Sequence, residues 1–394
     1  MSTTTTDPAR PHTVPASSAV EAARAIAPVL VRHRQAAEDG SEMTAEVGAA
    51  AGAAGMFRLL APREVGGLEV SLPEYYGVLE ELAAADPSVA WHAANSMVAG
   101  VAAAFLGDQE RRELFKDNEH PFGFAAAMGG RAVPVEGGFR LTGQWGFVTG
   151  IGHARWAVLS GIVESGGDGP PDVRVFAVRR DDLEIHPTFR DAVAMRGTGS
   201  NAASADNVFV PEGFVFRWAD PPELDRPLYR LPFFVLGLTI TGAVAVGILR
   251  CALGGAIGMM ATKASSITGA AHYDQPRVKE AIANADATVR ALGAGMREIT
   301  ETVWAAAVEG PIPIQTRSRL YASGLFTLDT ARHMVSELFA RSSSGVYAGR
   351  NTVEESLRDI HALAANQDTG AWRPVQLAAG SVLLGHDPGP FPRF

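Results

Sequence analysis

Apolar positions recur at helical spacing through the first third of the chain. Ala22, Ile26, Val29, Leu30 and His33 share one face of a segment over residues 18–39. Residues 42–54, stopped by Gly55, and residues 72–85 keep the same period. Asp86-Pro87-Ser88 has the form of an N-cap followed by a proline in the first turn, and predicts a helix from Ser88 to about Leu106. A short helix over 108–116 closes the series. From Pro121 the period falls to two. Residues 122–128, 130–134, 138–149, 156–163, 173–178, 183–188 and 203–209 alternate as strands do, with glycine- and proline-rich turns between them. After Pro211-Glu212-Gly213 the helical period returns over 234–267, 274–309, 313–341 and 352–367.

Helices, then strands, then helices, each in its own run, predict an α+β chain with separate domains. The expected boundaries are a disordered tail over 1–17, a helical domain over 18–117, a β-domain over 118–215 and a helical bundle over 216–394.

Composition narrows the function. A net charge of −9 argues against a nucleic-acid partner, which needs a basic face. The single cysteine, Cys251, lies in an apolar run, so no intrachain disulfide is expected and the thiol reads as buried and inert. Histidines and this cysteine are too scattered for a metal site. The first residues are rich in Thr, Pro and Ser and lack an apolar core, which argues against a signal peptide and for the cytoplasm. Residues 231–249 are long and apolar enough to span a bilayer. Gly and Thr are frequent there, however, and the helical pattern runs past Arg250 to Met260, so a helix buried all round in a bundle is expected, and no membrane.

The stretch Gly143-Gln144-Trp145-Gly146-Phe147-Val148-Thr149-Gly150 carries the candidate chemistry. A strand ending in an aromatic, a β-branched residue, a hydroxyl and a glycine can lay backbone amides and one hydroxyl along a flat heteroaromatic ring. The same residue types also serve plain strand packing. No Gly-x-Gly-x-x-Gly follows a strand, so no dinucleotide site of that kind is expected.

With its order of domains, the chain resembles the acyl-CoA dehydrogenase fold: a helical domain, a β-barrel-like middle domain and a four-helix bundle. Trp145 to Gly150 is similar to that family's flavin motif. Met195-Arg196-Gly197-Thr198-Gly199-Ser200 with Asp206 to Pro211 resembles the exit from its β-domain, and Val353 to Ile360 the helix before its catalytic acid. The departures are informative. The family's carboxylate falls on Gln367, whose amide cannot take a proton from carbon. Ala125 to Pro134 replaces the family's Thr-Glu-Pro loop, Ser265 to Gly269 replaces an arginine, and Ser343-Ser344 replaces a glycine pair. Ser88 to His92, Arg131 to Gly138, Arg196 to Ser200 and Arg358-Asp359-Ile360-His361-Ala362 instead resemble the two-component flavin-dependent (group D) monooxygenases.

That resemblance implies reduced FAD, with FMN as the alternative, delivered by a separate NAD(P)H:flavin reductase. It implies reaction with molecular oxygen to a flavin C4a-hydroperoxide that hydroxylates a small aromatic, phenol- or indole-type, and it implies a homotetramer or homodimer. Thr149 is then the partner of flavin N5, with Phe147 and Val148 walling the ring. His361 is the acid–base residue, and His92 orients substrate or shares its proton. Arg196, Thr198, Ser200, Ser343 and Ser344 are the candidates for the flavin phosphates. Phe124, Met128, Phe233 and Phe234 are candidates for the substrate pocket. Two other readings stay open on residues alone: an acyl-CoA dehydrogenase-type flavoprotein with a displaced base, and a non-catalytic flavin-binding scaffold.

Overall fold

The computed structural model describes residues 18–117, 119–164, 170–261, 263, 264, 269, 271–342, 344–369 and 372–389. Five helices come first: α1 (Ala19–Gly40), α2 (Ala45–Ala53), α3 (Leu72–Ala85), α4 (Pro87–Ala102) and α5 (Asp108–Leu114). Ser18 and Glu21 form a reciprocal capping box on α1. Asp86 both ends α3 and caps α4, its Oδ1 accepting from Ser88 N–H at 2.8 Å. That shared residue fixes the turn between the two helices.

Seven strands follow: β1 (Gly123–Val135), β2 (Gly138–Val148), β3 (Trp156–Val163), β4 (Asp172–Arg179), β5 (Glu184–His186), β6 (Asn201–Pro211) and β7 (Val215–Phe216). They make one sheet in the order β5-β6-β2-β1-β3-β4-β7, with β1 and β3 parallel. β4 also touches β6, with three strands between them in the sheet, so the sheet curls around a core of its own. Trp145 sits fully buried in that core and donates its indole N–H to the Ser160 carbonyl at 2.8 Å. Glycine is required beside it: a Cβ on Gly130 would lie 2.6 Å from the Trp145 ring. The two strands expected over 122–134 are a single strand, because a bulge between Ala125 and Gly130 breaks the apolar alternation without ending the pairing.

The bundle is α6 (Phe233–Ala261), α7 (Pro276–Glu309), α8 (Ile314–Arg341), α9 (Thr352–Thr369) and α10 (Trp372–Leu383). The expected end of α6 at 267 comes at Ala261 instead. α6 is the one described helix long and apolar enough to cross a membrane, and 83% of its most apolar window is buried inside the protein. It packs against α3, α7, α8 and α9, as expected of a helix apolar on every side. Gly247 permits the close approach of α3, since a Cβ there would lie 2.4 Å from the Ala83 Cβ. Buried Glu80 of α3 pins this junction, accepting from Arg250 of α6 at 2.9 Å and Arg297 of α7 at 2.7 Å.

α10 was not expected from the sequence. Its signal was present: Pro374 lies in the first turn, and Val375, Ala378, Ala379 and Val382 form the buried face. Trp372 at its start wedges between Phe233 and Phe234 of α6, stacked on the first at 6.0 Å and edge-on to the second at 5.4 Å. One large core joins the first helices to the bundle, and the β-core lies beside it.

Candidate functional site

The site gathers where the end of β2 meets α4 and the turn before β6. Thr149 forms an isolated bridge with Phe124, its N–H donating to the Phe124 carbonyl at 3.0 Å, so the start of β1 clamps the end of β2. The Thr149 side chain is 4% exposed, and its Oγ1 lies 3.0 Å from Ser200 Oγ. Ser200 Oγ in turn lies 2.8 Å from Thr198 Oγ1. Three buried hydroxyls therefore form a chain. Each carries one proton, so the chain runs in one direction or the other. When Thr198 donates to Ser200 and Ser200 to Thr149, Thr149 keeps its proton to offer outward. When the direction reverses, Thr149 is left as an acceptor.

Gly150 N–H donates to the Thr198 carbonyl at 3.2 Å and ties the two strand ends together. Gly150 has φ +77°, and a Cβ there would lie 3.0 Å from His92 Nδ1, so glycine is needed on both counts. His92, on α4 and 1% exposed, donates its Nε2–H to the Gly197 carbonyl at 3.1 Å. Its Nδ1 is buried, faces Gly150 and has no partner. Burial, against the pull of the Gly197 bond, holds the imidazole down at about 4, so it is neutral at physiological pH. His153, which lowers it further, stands 3.5 Å from Glu42 at the rim.

This buried neutral histidine carries a stability signature. Below its ordinary 6.5 the unfolded chain gains a proton that the native state refuses down to about 4, so stability falls as pH drops through that window. Relative to wild type, His92→Gln should therefore gain about 2–3 kcal/mol between about pH 7 and about pH 4.5. Urea unfolding at the two pH values reads this. A difference that stays constant with pH would show that His92 is not held neutral.

Phe147 stands out from the strand. Its φ is +54°, unusual for a non-glycine residue, and its ring is 74% exposed, edge-on to Phe189 at 6.3 Å. Ala126, Ala127 and Met128 on the bulged part of β1 are exposed as well. These residues give the end of β2 and the bulged part of β1 an exposed apolar surface. Val148 does not share this face. The bulge between Trp145 and Val148 turns its side chain into the β-core, fully buried, which corrects the expectation that it walls a ring.

The turn carrying Thr198 is strained and well held. Met195 and Gly199 both have φ +51°. Met195 N–H donates to Asp359 Oδ1 of α9 at 2.8 Å. Arg196 was expected at an anion, but its Nε donates to the Glu38 carbonyl and its Nη1 to the Ala192 carbonyl, each at 2.6 Å, which staples the turn to α1. The Thr198 and Gly199 amides are also spent within the turn, on Met195 and Arg196 carbonyls. The Thr198 and Ser200 side chains thus serve the hydroxyl chain. Ser343 lies outside the described residues, as do Ser265 to Thr268, and the Ser344 side chain is not described.

Sequence reasoning passed over Asp359 and Arg34. Arg34 of α1 is buried with its Nε 3.2 Å from Glu355 and its Nη2 3.7 Å from Asp359. Burial raises Asp359 to about 7, with Arg34 and the Met195 bond opposing. His361, two residues on, points the other way. It is exposed, with Nε2 3.3 Å from Ser336 Oγ of α8, whereas Thr149 and His92 are buried. Gln367 is 2% exposed, its Nε2 donating to Asn366 Oδ1 at 3.1 Å and its Oε1 without a partner.

Of the expected pocket residues, Phe124 is half-buried and Met128 exposed. Phe233 lines a cavity of about 520 Å³ together with Met97 and Val101 of α4 and Trp218. Phe234 lies behind it, against Trp372 and Tyr321.

Residues 18–116 match the acyl-CoA dehydrogenase N-terminal domain and residues 239–368 the acyl-CoA dehydrogenase C-terminal domain. The chain is 27% identical over 349 residues to the flavin-dependent monooxygenase oxygenase subunit HsaA of Rhodococcus jostii, covering 86% of this chain and 91% of that protein. It is 28% identical over 340 residues to an indole-3-acetate monooxygenase of Pseudomonas putida, covering 85% and 86%. In fold it resembles XiaF from a Streptomyces species, solved with FADH2 and glycerol, at a TM-score of 0.84 and 22% identity over 95% of this chain and 97% of that one.

Proposed function

We propose that this chain, which belongs to the acyl-CoA dehydrogenase fold in its flavin-dependent monooxygenase branch, hydroxylates a flat aromatic or indole-type molecule as the oxygenase of a two-component system. Reduced flavin bound at the end of β2 supplies the two electrons with which one atom of O2 enters the substrate and the other leaves as water. FAD is the expected flavin, FMN the alternative. A separate NAD(P)H:flavin reductase supplies it, in the cytoplasm.

The observation that carries this reading is the hydroxyl chain ending at Thr149, two residues after the exposed Phe147. N5 of a flavin is a donor when reduced and an acceptor when oxidised. The reversible direction of the Thr149-Ser200-Thr198 chain suits both states without moving a heavy atom. The fully buried Val148 and Ile151 beside Thr149 keep water from its inner side. Neutral His92 donates Nε2–H to the Gly197 carbonyl and packs its Nδ1 edge against Gly150, so it positions the turns that carry Thr198 and Thr149. A dehydrogenase reading is disfavoured because a buried amide, Gln367, stands where that chemistry needs a carboxylate.

His361 acts in this reading when a second copy covers the exposed face of α8 and α9, which fits a homotetramer or a dimer. The first test mixes anaerobic protein and reduced FAD, then FMN, with oxygenated buffer. A near-ultraviolet-absorbing flavin species that outlives free-flavin reoxidation is expected. Reoxidation no different from free flavin overturns the monooxygenase reading.

A further inference from the structure

One side chain from outside the site lies against both turns that carry the hydroxyl chain. α1 is closed by Ser41 at φ +55°, and α2 opens from Thr44, whose hydroxyl caps it. Glu42 sits in the short connection between them. Its N–H donates to the Ala37 carbonyl at 3.2 Å, and Ser41 Oγ donates to the Arg190 carbonyl at 2.9 Å. Caps on both sides and these bonds leave the Glu42 backbone little freedom, so the direction of its side chain is set.

The Glu42 carboxylate takes the place of a side chain at Gly152. A Cβ there would lie 1.8 Å from Glu42 Oε1. Gly152 is not in the left-handed region, so space, and not backbone conformation, requires the glycine. On the other side, a Cβ at Gly199 would lie 3.3 Å from Glu42 Cγ. Gly152 comes three residues after Thr149, and Gly199 directly precedes Ser200. Glu42 therefore lies against both segments that meet where Thr149 Oγ1 and Ser200 Oγ stand 3.0 Å apart.

His153 completes the arrangement. Its N–H donates to the Gly150 carbonyl at 3.1 Å, so a displacement at 152–153 reaches Gly150, whose own N–H holds the Thr198 carbonyl. Its Nε2 is buried, makes no hydrogen bond and lies 3.5 Å from Glu42 Oε1. Among the described residues His153 is the one ion partner of Glu42. The two side chains are 28% and 43% exposed, so their attraction adds little to global stability, and its effect lies in placement.

We infer that Glu42 is a positioning residue for the hydroxyl chain: it holds the turn after Thr149 against the turn before Ser200, with His153 as the contact that keeps it there. The effect on turnover rests on the oxygenase reading, whereas the effect on the turns does not. The test pairs Glu42→Ala with Gly152→Ala, which expels the carboxylate from the other side of the same contact. In the flavin-free full chain, amide exchange over 147–153 and 196–201 should quicken about tenfold in both variants. In turnover, product per flavin oxidised should fall about tenfold in each. Because both remove one contact, the double variant should be no worse than either single. Glu42→Gln keeps the length and an acceptor for His153, and should recover most of both losses. Additive losses in the double variant, unchanged exchange in Glu42→Ala, or Gln as damaging as Ala overturns the inference. If wild type forms no product, the oxygenase reading fails, and exchange at the two turns alone decides the role of Glu42.

Discussion

Replacing Thr149 by valine is expected to lower the rate of product formation about a hundredfold, with reduced flavin spent on hydrogen peroxide instead. Valine is nearly isosteric and β-branched, so the bridge between Thr149 and Phe124 and the strand end remain. Only a hydroxyl is lost. Ser200 keeps Thr198 as a partner at 2.8 Å, so the stability loss should be about 1 kcal/mol. Thr149→Ser keeps the hydroxyl and should stay close to wild type. Ser200→Ala is the sharper control. It leaves the Thr149 hydroxyl in place but removes the neighbour that fixes its direction, so coupling should fall by about tenfold, between the other two variants. Product and peroxide per flavin oxidised, together with the dissociation constant for reduced FAD, read all three. Undiminished coupling in Thr149→Val would leave the hydroxyl chain with a packing role alone.

The order of helices, strands and helices was legible because each run keeps one period over tens of residues. Local chemistry marked the turns, as at Asp86-Pro87, where one carboxylate caps the next helix. The strand proposed to face the flavin was legible as a strand, but not the side on which each residue falls. A bulge shifts alternation by one, and bulges come from pairing partners distant in sequence. That is why Val148 is in the core while Phe147 faces out. The role of Arg196 was hidden for a similar reason: an arginine beside glycines suggests an anion, yet the acceptors that capture it are carbonyls of α1 and of its own loop. His361 belongs to the same class, since its contact, Ser336, comes from another helix.

Asp359 is where these long-range contacts converge, and its removal should have the largest effect on stability. Met195 is a non-glycine residue at φ +51°, a conformation that persists only when the surroundings impose it. The imposing contact is Asp359 Oδ1 on the Met195 N–H. The turn it holds supplies the carbonyl that orients His92 and the Thr198 and Ser200 hydroxyls of the chain. Asp359→Ala leaves that N–H unmet and leaves buried Arg34 with Glu355 as its remaining close ion partner. A loss of about 2–4 kcal/mol follows, with reduced-flavin binding weakened as the turn relaxes. Asp359→Asn keeps the acceptor for Met195 and separates hydrogen bond from charge. Because burial raises the folded carboxyl from 3.8 to about 7, the native state holds a proton that the unfolded chain has lost, and stability falls as pH rises through that window. Asn should therefore unfold close to wild type near pH 5 and lack the wild-type decline toward neutrality. If Asn is as damaging as Ala near pH 5, the carboxylate works as Arg34's counter-ion rather than as the hook that holds Met195.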